Sequence, residues 1–299
     1  MKVRDKDIKI EGRFLRIARL DGDKYTFPDN PEEFLAHLRT CGSRIDIFTF
    51  LQKLPDISPK YPYSFEMDNL AVLPVTTFDN WWNNQIRSYP RNRARQAGKR
   101  GVVIREVPYG EELIQGICAI YNETPIRQGK KFPHYGMTLT RAREYAGTFL
   151  DRSVYIGAFL KEEMIGFIKL TMDESRTQAG LVHILSMAKH KDKAPTNALI
   201  SEAVRACAER NVSYLIYENF AYGNKVGDGL SHFKEVNGFQ RVDTPRYYVP
   251  LTSQARVALR LGLHHRLADR IPESIAAKFR DFRKLWYERR FPAAMAAEN

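Results

Sequence analysis

Residues 180–187 (GLVHILSM) are apolar throughout and long enough for a buried strand. The polar loop that follows, 188–194 (AKHKDKA), carries three lysines. From Pro195 onward, Leu199, Ile200, Ala203, Val204 and Cys207 recur on one face at a 3.6-residue period, which predicts an amphipathic helix. Proline fits its first turn because the missing N–H would have no partner there. Asn211 ends the helix, and residues 212–217 (VSYLIY) predict the next strand. A helix N-terminus at Pro195-Thr196-Asn197, placed just beyond a buried strand and beside Lys189, Lys191 and Lys193, is a candidate anion site.

The same patterns run through the rest of the chain. Phe14-Leu15-Arg16-Ile17 and Lys24-Tyr25-Thr26-Phe27 read as short strands around an Asp21-Gly22-Asp23 turn. Asn30-Pro31 opens a helix to about Arg39, and residues 44–50 (RIDIFTF) alternate like a half-buried strand. The three prolines between 54 and 63 predict a loop, and 69–75 (NLAVLPV) a strand. Residues 81–100 read as a helix interrupted near Pro90, and 111–122 as a second amphipathic helix. A loop follows at 123–136, then a helix over 138–149. Residues 154–160 and 164–172 form a hairpin about Lys161-Glu162-Glu163, and the strand at 177–187 pairs antiparallel with it. Asp228 is a fitting N-cap for a short helix with Leu230, Phe233 and Val236 inward. Asn237-Gly238 fits its C-cap, and residues 246–251 (RYYVPL) close the sheet.

The 299 residues are enough for more than one unit. We expect an α/β unit at 1–78, a mostly antiparallel mixed sheet with helices at 79–252, and a basic helical tail at 253–299. No apolar stretch approaches a membrane span, and residues 1–8 are too polar for a signal peptide. Three scattered cysteines, Cys41, Cys118 and Cys207, argue for a reducing, cytoplasmic setting.

Charge narrows the picture further. Residues 85–105 hold seven Lys/Arg and no acid, and residues 253–299 hold ten Lys/Arg and five acids, so these two segments account for the whole net charge of +12. Each is either a solvated helix face or a contact for a polyanion, such as an anionic membrane surface or tRNA. In the 123–136 loop, Arg127, Lys130, Lys131, His134 and Tyr135 either read a polar or anionic acceptor or form a basic surface loop. HxxxH, CxxC, G-x-S-x-G and P-loop patterns are absent, so zinc, redox, triad-hydrolase and ATPase chemistry lack support. His264 and His265 would point to different faces of a helix, so no metal site is expected there.

The order hairpin, strand, helix, strand, short helix, strand over 153–251 resembles the GNAT acyltransferase fold. Within it, GAFLKEEMIGFIKL resembles that fold's central hairpin, and LSHFKEVNGFQRV its short helix followed by Gly-Phe. RNRARQAGKRGVVIRE together with APTNALISEAV resembles the branch that includes the Fem-type peptidoglycan-bridge aminoacyltransferases. The resemblance implies N-acyl transfer, with acetyl-CoA or another acyl-CoA as co-substrate, to a small-molecule or peptide amine. It implies a donor lying along 182–187, over His183, Leu185, Ser186 and Met187, with its phosphates near Lys191, Lys193, Thr196 and Asn197. The fold's usual Gln/Arg-x-x-Gly-x-Gly/Ala cradle is replaced by His190-Lys191-Asp192-Lys193-Ala194-Pro195. Fem-type enzymes also lack that cradle and take aminoacyl-tRNA, which is the alternative donor. Glu218 is the expected base, directly or through water, and Tyr222, Tyr135 and His134 are the candidate acids or acceptor contacts, with Asn219 as a further acceptor contact. A reading from a different class is a polyanion- or membrane-binding protein whose fold is catalytically idle.

Overall fold

The computed structural model describes residues 1–127, 130–222, 229–265 and Trp286. In chain order the elements are β1 (Lys2–Val3), β2 (Lys6–Glu11), β3 (Ile17–Leu20), α1 (Pro31–Thr40), β4 (Ile47–Leu51) and β5 (Ser64–Pro74). There follow α2 (Phe78–Asn80), which runs into a π turn at Trp81–Gln85, α3 (Ser88–Lys99), β6 (Val102–Glu106), α4 (Glu111–Tyr121), β7 (Ile126–Arg127), β8 (Lys130–Lys131) and α5 (Leu139–Ala146). The remainder is β9 (Ser153–Leu160), β10 (Glu163–Met172), β11 (Gln178–Ser186), α6 (Pro195–Glu209), β12 (Tyr214–Asn219), α7 (Gly229–Val236), β13 (Gln240–Pro250) and α8 (Ser253–Arg260).

One sheet of eleven strands runs in the order β1-β2-β3-β4-β13-β5-β12-β11-β10-β9-β6. Its pairs are antiparallel except β3 with β4 and β11 with β12. The fold is therefore GNAT-like, a mixed and mostly antiparallel sheet flanked by helices. β5, from the expected N-terminal unit, lies between β12 and β13, so residues on both sides of position 78 build the same sheet. A larger apolar core gathers α4, α5 and α6 against β9, β10 and β11. A smaller one holds α1 against β2, β3, β4 and β13. Among the described residues no helix is long and apolar enough to cross a membrane.

Local signals account for the clearest elements. The Asn30 side chain caps α1 by accepting from the N–H groups of Glu32 and Glu33. Pro195 opens α6, and Asn211, just past its end, takes a left-handed φ of 56°.

Several expectations are corrected. Residues 24–27 are not a strand: side chains take the backbone groups there, with Gln178 donating to Lys24 O and Arg152 to Tyr25 O. β4 does not alternate, because all five of its residues are buried between β3 and β13. The basic helix breaks at Ile86 and Arg87, both extended, leaving Pro90 in the first turn of α3. The 123–136 loop contains the small β7/β8 ladder. The buried face of α7 carries Ser231 and Lys234, while Leu230, Phe233 and Val236 are only half-buried. β13 lies inside the sheet, where its long span pairs with both β4 and β5. Asp228, the expected cap, lies outside the described residues.

Candidate active site

β11 and β12 pair in parallel over only three positions, Gln178–Tyr214, Ala179–Leu215 and Gly180–Ile216. Beyond Gly180 the strands part, and among the described residues β11 continues to Ser186 paired only with β10. The register against β10 slips between Leu181 and His183, so Val182 is the extra residue of a β-bulge. A bulge leaves its extra residue outside the ladder and re-aims the backbone around it. The result is a notch, one wall of which carries backbone without a neighbouring strand. Gly180 at its apex is required by space, since a Cβ there would lie 2.5 Å from the Tyr25 ring.

The sequence-predicted residues fall into two groups, one at the end of β12 and one around the loop after β11. Glu218, Asn219 and Tyr222, at the end of β12, line one cavity of about 850 Å³. Glu218 has a left-handed φ of 53° and is ion-paired with Lys24. Asn219 donates to Asp68 at 2.8 Å, and its carbonyl accepts from the buried Lys234 ammonium. Tyr222 is exposed, with the Lys234 ammonium 4.9 Å from its ring centre. The same cavity holds Arg246, which bridges Asp23 at 2.8 Å and Asp68 at 2.9 Å. Burial alone would raise the Asp23 carboxyl, but Arg246 and Lys24 hold it below the usual carboxylate range.

The second group surrounds the loop after β11. Ser186 and Thr196 share a hydroxyl–hydroxyl hydrogen bond of 2.7 Å across it, Met187 is buried and Leu185 packs on the larger core. Asn197 is half-buried in the first turn of α6, and Lys191 is exposed. Lys193 pairs with Asp192 at 2.7 Å, and Lys189 with Glu163 at 2.6 Å. The guanidiniums of Arg93 and Arg100 donate to the carbonyls of Lys191 and Asp192, which brings the basic helix α3 onto this loop.

Arg127 is a clamp rather than a surface contact. It donates to Ser186 O at 2.8 Å, to Ile120 O at 3.1 Å and to Glu123 at 2.9 Å. Glu123 in turn accepts from the N–H groups of Ala188 and Lys189, each at 2.7 Å. His183 faces away from the lysine loop and stacks on Tyr145 with ring centres 4.3 Å apart. Burial, reinforced by the Lys169 ammonium, pushes its imidazole down to about 3, so it is neutral and cannot pair with a phosphate. His134 packs among Tyr121, Phe132 and Tyr145, and burial lowers it too. Tyr135 is exposed, and neither it nor His134 lines the Glu218 cavity. The side chain of Lys130 lies outside the described residues.

Sequence reasoning missed Glu123, Lys24 and the Asp23–Arg246–Asp68 bridge. Glu123 stood at the start of an aperiodic loop, 65 positions from the amide of Ala188 that it accepts from. Only the acid between two basic stretches hinted at it.

No family model and no curated protein sequence matches this chain. Solved structures do. The C-terminal domain of a protein described as a lysylphosphatidylglycerol synthetase from Agrobacterium fabrum is similar at 15% identity with a TM-score of 0.54, covering 85% of this chain and 83% of that one. L-PGS from Bacillus licheniformis is similar at 15% identity and a TM-score of 0.55, covering 85% of each chain. FemX is similar at 12% identity and a TM-score of 0.52, covering 79% of this chain and 72% of that one. At such identities the likeness is one of fold: the GNAT-like fold in the form that FemX and L-PGS share.

Proposed function

We propose that this protein is an acyltransferase that moves an acyl group from an activated ester to an amine, with the reacting carbonyl held in the notch between β11 and β12. The notch carries the reading, because bulged, unpaired strand backbone can hydrogen-bond an extended donor as an added strand would. Glu218 stands at the other wall as the base. The acceptor arrives as an ammonium in the place Lys24 takes, Glu218 accepts its proton, and the amine nitrogen forms the new bond to the carbonyl carbon. The ester C–O bond then breaks, and the departing oxygen takes a proton.

Of the two donors, an aminoacyl ester of tRNA fits the loop better than an acyl-CoA thioester. A pyrophosphate needs free N–H groups, yet those of Ala188 and Lys189 are held by Glu123, that of Ala194 is held by Lys191 O, and Pro195 has none, which leaves it only those of Thr196 and Asn197 in the first turn of α6. α3, with Arg93 and Arg100 against the same loop, supplies a face for a larger polyanion. The basic tail beyond His265, the other expected polyanion segment, lies outside the described residues apart from Trp286.

Thermal shift with charged tRNA, uncharged tRNA, CoA and acetyl-CoA tests this. A ligand at ~100 times its Kd stabilises by about 2.7 kcal/mol. Charged tRNA is expected to give that shift, and CoA none. A shift with CoA alone would overturn the tRNA donor and leave the notch as a CoA thioester site. Equal shifts with charged and uncharged tRNA, together with no transfer to amines, would refute the enzyme reading in favour of polyanion binding.

A further inference from the structure

Glu66 on β5 and the consecutive His264 and His265 converge at the rim of the Glu218 cavity. His264 Nε2 lies 2.9 Å and His265 Nε2 3.1 Å from the same carboxylate oxygen of Glu66. The sequence expectation that neighbouring histidines diverge assumed a helix through them. α8 ends at Arg260 and the chain turns after it, which folds the two rings to 4.0 Å between centres. One ligand atom from each of the three residues falls within 4.8 Å of the others.

We infer that Glu66, His264 and His265 form a binding site for a divalent transition-metal ion of the zinc, cobalt or nickel type. The chemistry of the donors selects this class. Two imidazole nitrogens and one carboxylate oxygen suit borderline ions, whereas calcium and magnesium call for oxygen alone. Metal–ligand bonds of about 2.0–2.2 Å at tetrahedral angles put neighbouring ligand atoms about 3.3–3.5 Å apart. The two His–Glu66 separations are shorter by a few tenths of an ångström, so small side-chain rotations admit the ion.

Two further observations single out this cluster. Nδ1 of His264 is buried with no hydrogen-bond partner among the described residues, and its ring packs at a tilt against those of Tyr248 and His265. Among the described residues, the polar group that orients His264 is therefore the Glu66 carboxylate it shares with His265. Secondly, the cavity's other rim acids are already matched by cations: Glu11 by Arg19, Asp21 by Lys9, Asp23 and Asp68 by Arg246, and Glu218 by Lys24. Among the described residues Glu66 has only the two histidines. Three protein ligands leave a fourth position for water or a ligand. The ion would fasten the turn after α8 across β5, which lies 198 positions away in sequence. The inference does not depend on the acyl-transfer reading.

The test uses tag-free full-length protein. Cobalt(II) is titrated and followed by its visible absorption, and zinc is followed by calorimetry and thermal shift. One equivalent is expected to bind, with cobalt giving the intense bands of a low-coordinate site. Glu66→Gln and His264→Ala should each weaken zinc binding at least tenfold, with His232→Ala, an exposed histidine outside the cluster, as control. Circular dichroism confirms that each variant is folded, and Glu66→Gln keeps shape at a half-exposed position if His264→Ala does not fold. Absence of stoichiometric binding, or zinc affinity unchanged in Glu66→Gln, would overturn the site.

Discussion

Glu123→Gln tests the internal anion at the mouth of the notch. The Glu123 side chain is 11% exposed and its partner Arg127 14%, so solvent screens the pair only partly. One carboxylate serves three donors: the Ala188 and Lys189 N–H groups, each at 2.7 Å, and the Arg127 guanidinium at 2.9 Å. Glutamine keeps one oxygen and turns an NH2 toward a donor, so at least one N–H loses its acceptor and the ion pair becomes a neutral contact. Hydrogen bonds to charged groups are worth about 1.5–3 kcal/mol each, and the three here are not additive. The Lys189 amide is exposed and recovers water. The expected loss is about 2–4 kcal/mol, which for a chain of this size lowers Tm by roughly 3–6 °C. Urea unfolding should show a lower midpoint at unchanged slope. Because Arg127 and Glu123 act as a unit, Glu123→Gln combined with Arg127→Met should cost clearly less than the sum of the singles. An unfolding free energy within about 0.5 kcal/mol of wild type would refute the clamp, since surface substitutions fall within that range.

Three other outcomes are expected. Glu218→Gln should lower kcat by roughly 10²–10⁴ with donor affinity little changed, and turnover within about threefold of wild type would remove it from the mechanism. Arg246→Met should cost about 3–5 kcal/mol in urea unfolding, because it leaves Asp23 and Asp68 without their shared cation; a loss below about 1 kcal/mol would show the bridge to be idle. Lys169 is fully buried, and burial pushes its ammonium down to about 8 from 10.5. Between those values the unfolded chain binds the extra proton, so stability rises with pH. Wild type should therefore gain on Lys169→Met by about 2–3 kcal/mol between pH 7 and pH 10.5, and a constant difference would show that Lys169 stays charged in the fold.

Sequence by itself determined the elements whose signals are local. The hairpin β9–β10 followed from two apolar runs and a charged turn, and α6 from its 3.6-residue stripe with Pro195 at the start. The β11–α6–β12 order that makes the notch was legible for the same reason, and so were Glu218 and Asn219 at the end of β12. What tertiary structure alone decided involves partners far apart in the chain. β13 sits inside the sheet because its length lets it pair with β4 and β5 together, which no local period records. Lys169 and Lys234 look like surface residues in sequence, yet both are buried where backbone carbonyls accept from their ammonium groups. Arg127 reads as an acceptor contact until Glu123 and the Ser186 carbonyl are brought to it. His264 and His265 converge only because the helix before them stops and Glu66 arrives from β5. Periodicity fixes which face of an element is apolar, but where one charged side chain meets another depends on how distant elements pack, and that is settled only when the sheet closes.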